Sequence, residues 1–305
     1  MRRFLIRRLV AGLVVVVLVS LIVFSMSRLA GDPRLLYADN YMSKAGYDAL
    51  GKKLGLDKPL LVQYVIWMSN AVRGDFGESL YARTSALNVI KERIRATMEL
   101  AVGAFFFALI TGVPLGVLSA VKRGTFWDYL GRTFALFGQA LPDFWLGIML
   151  ILIFAVQLEL LPTSRRGDWT NYVLPCVTLG WVASGGLLRL VRTAMLEILD
   201  SEYVKFARAK GVNYHKVIWK HALRNSLIVP LTYAGVLMGA FLTGAVVVET
   251  VFGWPGLGRL AVSAVLNNDF PVMTGVVMIF AAIYVLANFL VDILYAYIDP
   301  RIRYS

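Results

Sequence analysis

Leu9 to Ser27 reads LVAGLVVVVLVSLIVFSMS, nineteen residues without a charge. About 18–20 consecutive apolar residues are enough for a helix to span the hydrocarbon core of a bilayer. Four arginines precede the run, at Arg2, Arg3, Arg7 and Arg8. Such a start also suits a secretory leader, but a leader's apolar core is only about 7–15 residues long and closes on small residues. Here the run is longer, and Arg28 stands where a small residue is required. The stretch reads as a retained membrane helix.

Five more apolar runs follow: Leu100–Val121, Phe144–Leu158, Trp169–Leu188, Asn225–Val248 and Phe270–Val291. The third has only 15 residues and becomes a full span when extended back past Asp143 to about Thr133. Composition agrees with this reading. The chain has 305 residues, of which 58% are hydrophobic and 16% charged; its mean hydropathy is +0.68. Soluble domains carry about 45–50% apolar and about 25% charged residues. A water-soluble enzyme is thereby excluded, as is disorder, which needs low hydrophobicity. Lipid offers unpaired backbone groups no partners, and no barrel alternation is visible. The fold class is all-α, a polytopic membrane protein with six transmembrane helices.

Basic residues orient the spans, because cytoplasmic loops are enriched in Lys and Arg. The N-terminal arm, the turn with Lys122, Arg123 and Arg132, the stretch from Arg189 to Arg224, and the tail with Arg301 and Arg303 are all basic. They alternate with two loops whose only basic residues are Arg165, Arg166 and Arg259. Both termini are therefore expected in the cytoplasm. The segment Asp32–Arg95 carries ten Lys and Arg. It exceeds about 60 residues, where the rule loses force, and parity places it outside. The expected divisions are 1–30, arm and first helix; 31–96, an external helical segment; 97–298, a five-helix core; and 299–305, a cytoplasmic tail.

Two polar segments stand out. In the external one, Gly31-Asp32-Pro33, Leu54–Leu60 and Gly74–Gly77 supply turns and helix ends. Between them Tyr64, Trp67, Met68 and Ala71 share a helix face, expected to pack on the bundle rather than meet a partner. On the cytoplasmic side, Asp200 or Ser201 caps a helix from Glu202 to Lys210 that Gly211 ends. Asn213 caps a second, in which Tyr214, Val217, Ile218, His221 and Ala222 form one stripe opposite Lys216, Lys220 and Arg224. This pair is either an interfacial hairpin or a docking element.

No motif for covalent chemistry emerges. Gly46 to Lys52 imitates a phosphate loop, but Lys53 replaces the required Ser or Thr and no strand precedes it. Two histidines six residues apart and one cysteine, Cys176, offer no metal site. Gly112–Gly116 and Gly235–Gly239 have the spacing of close helix packing. Ionisable residues in membrane spans usually face an interior or a water path. Asp143 is the residue most nearly in mid-span; with Glu249 and Asn288 it makes up the candidate lining of a translocation path.

At the cytoplasmic hairpin, Ala207-Arg208-Ala209-Lys210-Gly211 and His221-Ala222-Leu223-Arg224-Asn225-Ser226-Leu227-Ile228-Val229-Pro230 resemble the coupling loop of ABC importers that use a binding protein. Together with Leu141-Pro142, Leu160-Leu161-Pro162, Val248–Gly258 and Ile298–Tyr304, nearly the whole chain resembles the dipeptide, oligopeptide, glutathione and nickel permease family, B-type subunit. Lys205-Phe206-Ala207 replaces the Glu-Ala-Ala that opens the broader pattern, which leaves no role for that glutamate.

The resemblance implies a type I importer permease fold in a bacterial-type inner membrane. It implies that Phe206, Ala207, Arg208, Ala209, Lys210, Gly211, Tyr214, Val217, Ile218, His221 and Arg224 couple to an ATPase, within coupling helices at about 200–224. It also implies a second permease subunit, two cytoplasmic ATPase subunits that use ATP and magnesium, and an external substrate-binding protein. This chain would bind no cofactor and no nucleic acid and would catalyse nothing. The expected cargo is di- or oligopeptides; the alternatives are glutathione or a nickel complex. A more distant rival is an ATP-independent secondary transporter, which would show inverted repeats, and none is visible.

Overall fold

A computed structural model describes residues 2–29, 34, 43–53 and 55–298. Gly31-Asp32-Pro33, Leu54 and the expected tail 299–305 lie outside the described residues. The described chain is helical, with one isolated antiparallel bridge between Glu78 and Ser85. In order, the helices are α1 (Arg2–Leu29), α2 (Lys44–Lys53), α3 (Leu60–Val72), α4 (Ala86–Val121), α5 (Phe126–Ala140) and α6 (Asp143–Leu150). Then come α7 (Thr170–Leu199), α8 (Glu202–Ala209), α9, α10 (Ile228–Val251), α11 (Leu257–Leu266) and α12 (Phe270–Ile298). A π-helical stretch, Ile151–Gln157, prolongs α6, and α9 is Tyr214–Lys216, π-helical Val217–Ala222 and Leu223–Ser226 in succession.

Among the described residues, four helices are long and apolar enough to cross a membrane, or six if each of two bent pairs makes one span. One bent pair corrects the expectation of a continuous third span from Thr133 to Leu158. The chain turns by 111° between Phe126–Ala140 and Asp143–Gln157. Pro142 is the reason: it disfavours helical backbone at Leu141, which is extended at φ −93° and ψ 131°. The second bend, 49°, falls in α10.

The bundle is built around α4 and α7, which lie side by side along most of their length. Lipid tails are as apolar as leucine, so close backbone approach and polar bonds hold membrane helices together. A Cβ on Gly112 would lie 2.7 Å from the Ser184 carbonyl oxygen, and one on Gly116 would lie 2.8 Å from that of Leu188. The expected close packing at this glycine pair is present, and its partner is α7. Gly235 serves the α10–α12 contact in the same way, against Val291. The helix α1 packs on α12 at the edge of the bundle and leaves Leu9, Leu13, Leu18 and Ile22 exposed.

A buried ion pair ties three helices at one end of the bundle. Arg192 on α7 donates from Nε and Nη2 to Asp128 at 2.8 and 2.9 Å. The Ser119 hydroxyl on α4 donates to the same carboxylate at 2.6 Å, and the Gly124 N–H at 3.0 Å. Asp128, near the start of α5, is buried. In sequence, Arg192 reads only as an orienting charge; its partner is 64 residues away.

In the segment expected to be external, α3 does pack on the bundle. Tyr64 meets Phe24 of α1 edge-on and Trp67 meets it at a tilt, and the Tyr64 hydroxyl bonds Ser20 at 2.8 Å. Farther along, Asp269, between α11 and α12, accepts from the Ser79 hydroxyl and the Leu80 N–H. This bond fastens the turn before α4 to the far end of the chain.

Candidate functional site

The hairpin α8–α9 has a buried side and an exposed side. Val204, Ala207 and Val217 form a small core with Ile198 and Val212. Ile218, Ala222 and Leu223 continue it onto the bundle, against Val117, Ala120, Val191 and Met195. Between the two helices Gly211 adopts φ +72°. Its N–H bonds the Arg208 carbonyl, and the Val212 N–H bonds that of Ala207. These two hydrogen bonds close a helix at a left-handed residue, a position glycine fills without a Cβ clash. The Asn213 side chain accepts from the His215 N–H at 2.9 Å and caps α9 as expected. Ser201 stands at the N-cap position of α8, but its hydroxyl bonds the Ile198 carbonyl instead of capping.

The sequence-based stripe needs correction. Val217, Ile218 and Ala222 face the core, but Tyr214 is 55% exposed. The π-helical stretch Val217–Ala222 explains the change, since wider turns displace each residue from its 3.6-residue position. The expected coupling residues thus divide. Ala207, Val217 and Ile218 hold the hairpin to the bundle; Phe206, Arg208, Ala209, Lys210, Gly211, Tyr214 and Arg224 lie outside it, and His221 is half-buried. The Tyr203 hydroxyl and His221 Nδ1, 2.6 Å apart, join the two helices. Two exposed aromatics were not among the expected residues, Tyr203 and Trp219. Like Phe206 and Tyr214 they are exposed, as are Lys205, Arg208, Lys210, Lys216 and Lys220 of the same hairpin. Their signal in the sequence was large aromatics within a basic helix pair.

The three expected path residues lie apart. Asp143 is half-buried in the first turn of α6, at the break after Pro142. Asn288 donates to the Tyr284 carbonyl at 2.9 Å. It borders a cavity of about 560 Å3 between α1, α10 and α12, with Arg8 and Asp292 at its rim; that pair is 3.3 Å apart.

Glu249 does not reach a surface of the chain. It is fully buried, and accepts from the Thr97 hydroxyl at 2.6 Å and the Arg259 N–H at 3.0 Å. Thr97 in turn accepts from the Leu257 N–H at 2.7 Å. The Trp254 indole donates to the Ala96 carbonyl at 2.8 Å. The residues from Glu249 to Arg259 form a clasp between α10, α11 and α4. A Cβ on Gly256 would fall on the Glu249 carboxylate.

Outside this clasp, Glu99 pairs with Arg166 at 2.7 Å and Arg95 at 2.8 Å. Hydrogen bonding to Glu99 holds the Arg166 guanidinium above its ordinary range. Among the described residues no three of His, Cys, Asp and Glu converge as metal ligands would.

Comparison with known proteins bears on the same residues. The family model described as binding-protein-dependent transport system inner membrane component matches residues 112–304, and its N-terminal companion matches residues 1–101. The glutathione transport system permease protein GsiC of Escherichia coli strain K12 is 39% identical over the whole of both chains. The protein of the same name from Shigella dysenteriae serotype 1 is equally similar. Among solved structures, the inward-facing MetNI methionine ABC transporter aligns with TM-score 0.58 at 20% identity, over 69% of this chain and 96% of that one. An amino acid ABC transporter crystallised with histidines aligns with TM-score 0.55 at 13% identity, over 68% and 94%. At these identities the structures support the fold alone.

Proposed function

This chain belongs to the inner membrane components of binding-protein-dependent transport systems, and from that membership we propose that it passes glutathione or a closely similar small peptide into the cell. It is a multi-pass inner-membrane permease subunit of an ABC importer, not a catalytic subunit. In the sequence reading, di- and oligopeptides came first as cargo. The 39% identity with glutathione permeases along the entire chain moves glutathione ahead of them. Glutathione is itself a tripeptide, so the two readings differ in one bond type and one thiol.

The observation that carries the mechanism is the exposed aromatic and basic side of α8–α9 above a buried apolar underside. We assign that side to the cytoplasm and to an ATPase subunit, which would use ATP and magnesium. This chain binds neither. Both termini lie in the cytoplasm, and a second permease subunit completes the path. Force applied at Phe206 and Trp219 reaches the bundle through Val217, packed on Ile198 of α7, and Ile218, packed on α4 and α7.

The test is uptake of labelled glutathione by native membrane vesicles with the binding protein present. Uptake is expected to need ATP and to be lost when this chain is deleted. Loss of dipeptide uptake with glutathione uptake intact would sink the cargo assignment.

Two substitutions test the docking face. Phe206→Asp with Trp219→Asp is expected to reduce co-purifying ATPase at least about tenfold, since loss of one hot-spot aromatic at an interface costs about 2 kcal/mol or more. The chain's own abundance should hold, because both side chains are exposed. Gly211→Asp should abolish transport and still insert. The left-handed backbone costs a non-glycine residue only about 1–2 kcal/mol, and a Cβ there meets nothing within 4 Å. Normal uptake by either inserted variant would count against coupling at this hairpin.

A further inference from the structure

The helix α3 has 13 residues and no charge. Charges stand only at its flanks, Asp57 and Lys58 before it and Arg73 after it. Its neighbour α2 is different, with Lys44, Asp48, Lys52 and Lys53 within ten residues. One side of α3 carries Gln63, Tyr64, Trp67 and Ala71, which are buried or half-buried; Tyr64 and Trp67 meet α1, and Gln63 donates to the Leu56 and Lys58 carbonyls of the turn before the helix. The other side is bare: Leu61 is 77% exposed, Val65 63% and Val72 76%. A contiguous apolar patch on a polar segment marks an interaction surface.

The depth of α3 along α1 identifies what covers it. Tyr64 bonds Ser20, and Phe24 meets Tyr64 and Trp67. Both α1 residues lie inside the uncharged run Leu9–Ser27. At 1.5 Å per residue, Ser20 is about 12 Å and Phe24 about 6 Å below Arg28, the first charge. At that depth α1 also leaves Leu18, Leu21 and Ile22 exposed. The bare side of α3 is therefore continuous with a surface that itself needs lipid. Tyr64 and Trp67 suit the boundary region, where aromatic rings gather.

We propose that α3 lies in the membrane rather than above it, its Leu61, Val65 and Val72 side against lipid acyl chains of the outer leaflet. The assignment to the outer leaflet rests on the topology given above; the contact with lipid does not. An interfacial helix buries its apolar side about 5–10 Å into the boundary, which matches the level of Phe24. So embedded, α3 would brace α1 from one side and hold the polar α2 close to the membrane surface.

Single cysteines test this in the full chain, in native membranes, because Cys176 is buried and stays silent. Cysteines replacing Leu61 and Val65 are expected to react at least tenfold more slowly with a membrane-impermeant charged maleimide than cysteines replacing Asp57 and Arg73. The same two sites should be labelled by a photoactivatable phospholipid carrying its reactive group in the acyl chain. Equal maleimide rates at all four sites would overturn the proposal in favour of a water-exposed helix. Protection from both reagents would overturn it in favour of a protein partner, such as the second subunit. Labelling of the flanking sites only from the cytoplasmic side would overturn the leaflet and the topology, and leave the lipid contact to be judged by the other readouts.

Discussion

Asp128→Ala is expected to cost the folded protein about 3–5 kcal/mol, the usual loss when one member of a buried ion pair is removed. The carboxylate accepts two bonds from Arg192, one from Ser119 and one from the Gly124 N–H. Its removal strands a guanidinium whose side chain is only 21% exposed. Thermal unfolding of the purified chain in detergent checks the size. The double variant Asp128→Leu with Arg192→Met should regain most of the loss, since buried ion pairs often give way to apolar residues at little cost. If Asp128→Ala unfolds within about a degree of the parent, the pair is not holding α4, α5 and α7 together.

Glu249→Ala is the second large effect, at about 3 kcal/mol or more. The Thr97 hydroxyl and the Arg259 N–H both lose their acceptor, and each buried donor left unsatisfied costs about 1–3 kcal/mol. Gly256→Ala should fail for the complementary reason. Its φ of −102° suits any residue, but its Cβ would occupy the carboxylate's place. The two changes act on one contact, so they should not add. Gly256→Ala made on top of Glu249→Ala is expected to cost under about 1 kcal/mol more. Full additivity of the two losses in thermal unfolding would show that the glycine is needed for something other than the carboxylate.

The spans were legible because a run free of charge is a local property of the sequence. Leu9–Ser27 and Phe270–Val291 each fall within one helix. The third span was misread because apolar content continues smoothly through Leu141 while the backbone does not. Hydropathy is blind to the constraint Pro142 places on its neighbour. The hairpin was legible to its caps, since Gly211 and Asn213 act over two or three residues. Its stripe was half wrong because a π-helical stretch changes the period, and Tyr214 turns outward. The clasps were illegible. Asp128 with Arg192, and Thr97 with Glu249, join residues 64 and 152 positions apart, and one sequence gives no measure of such separations. Glu249 drew notice as an ionisable group near a span, which holds equally for a path and for a buried staple.

Both clasps grip the same helix. Thr97, a third of the way along α4, belongs to the Glu249 clasp, and Ser119, near its far end, to the Asp128 clasp. Twenty-two residues separate them, about 33 Å at 1.5 Å per residue, roughly one bilayer's hydrocarbon thickness. The helix thus works as a tie-rod, pinned at two levels along its length and unable to slide lengthwise without breaking a pin. Between the pins its one proline, Pro114, interrupts the ladder of backbone bonds. Helices bend where a proline stands, and Gly112 and Gly116 on either side press against α7. A bend of the rod would fall at that short stretch, where the glycine contacts couple it to α7.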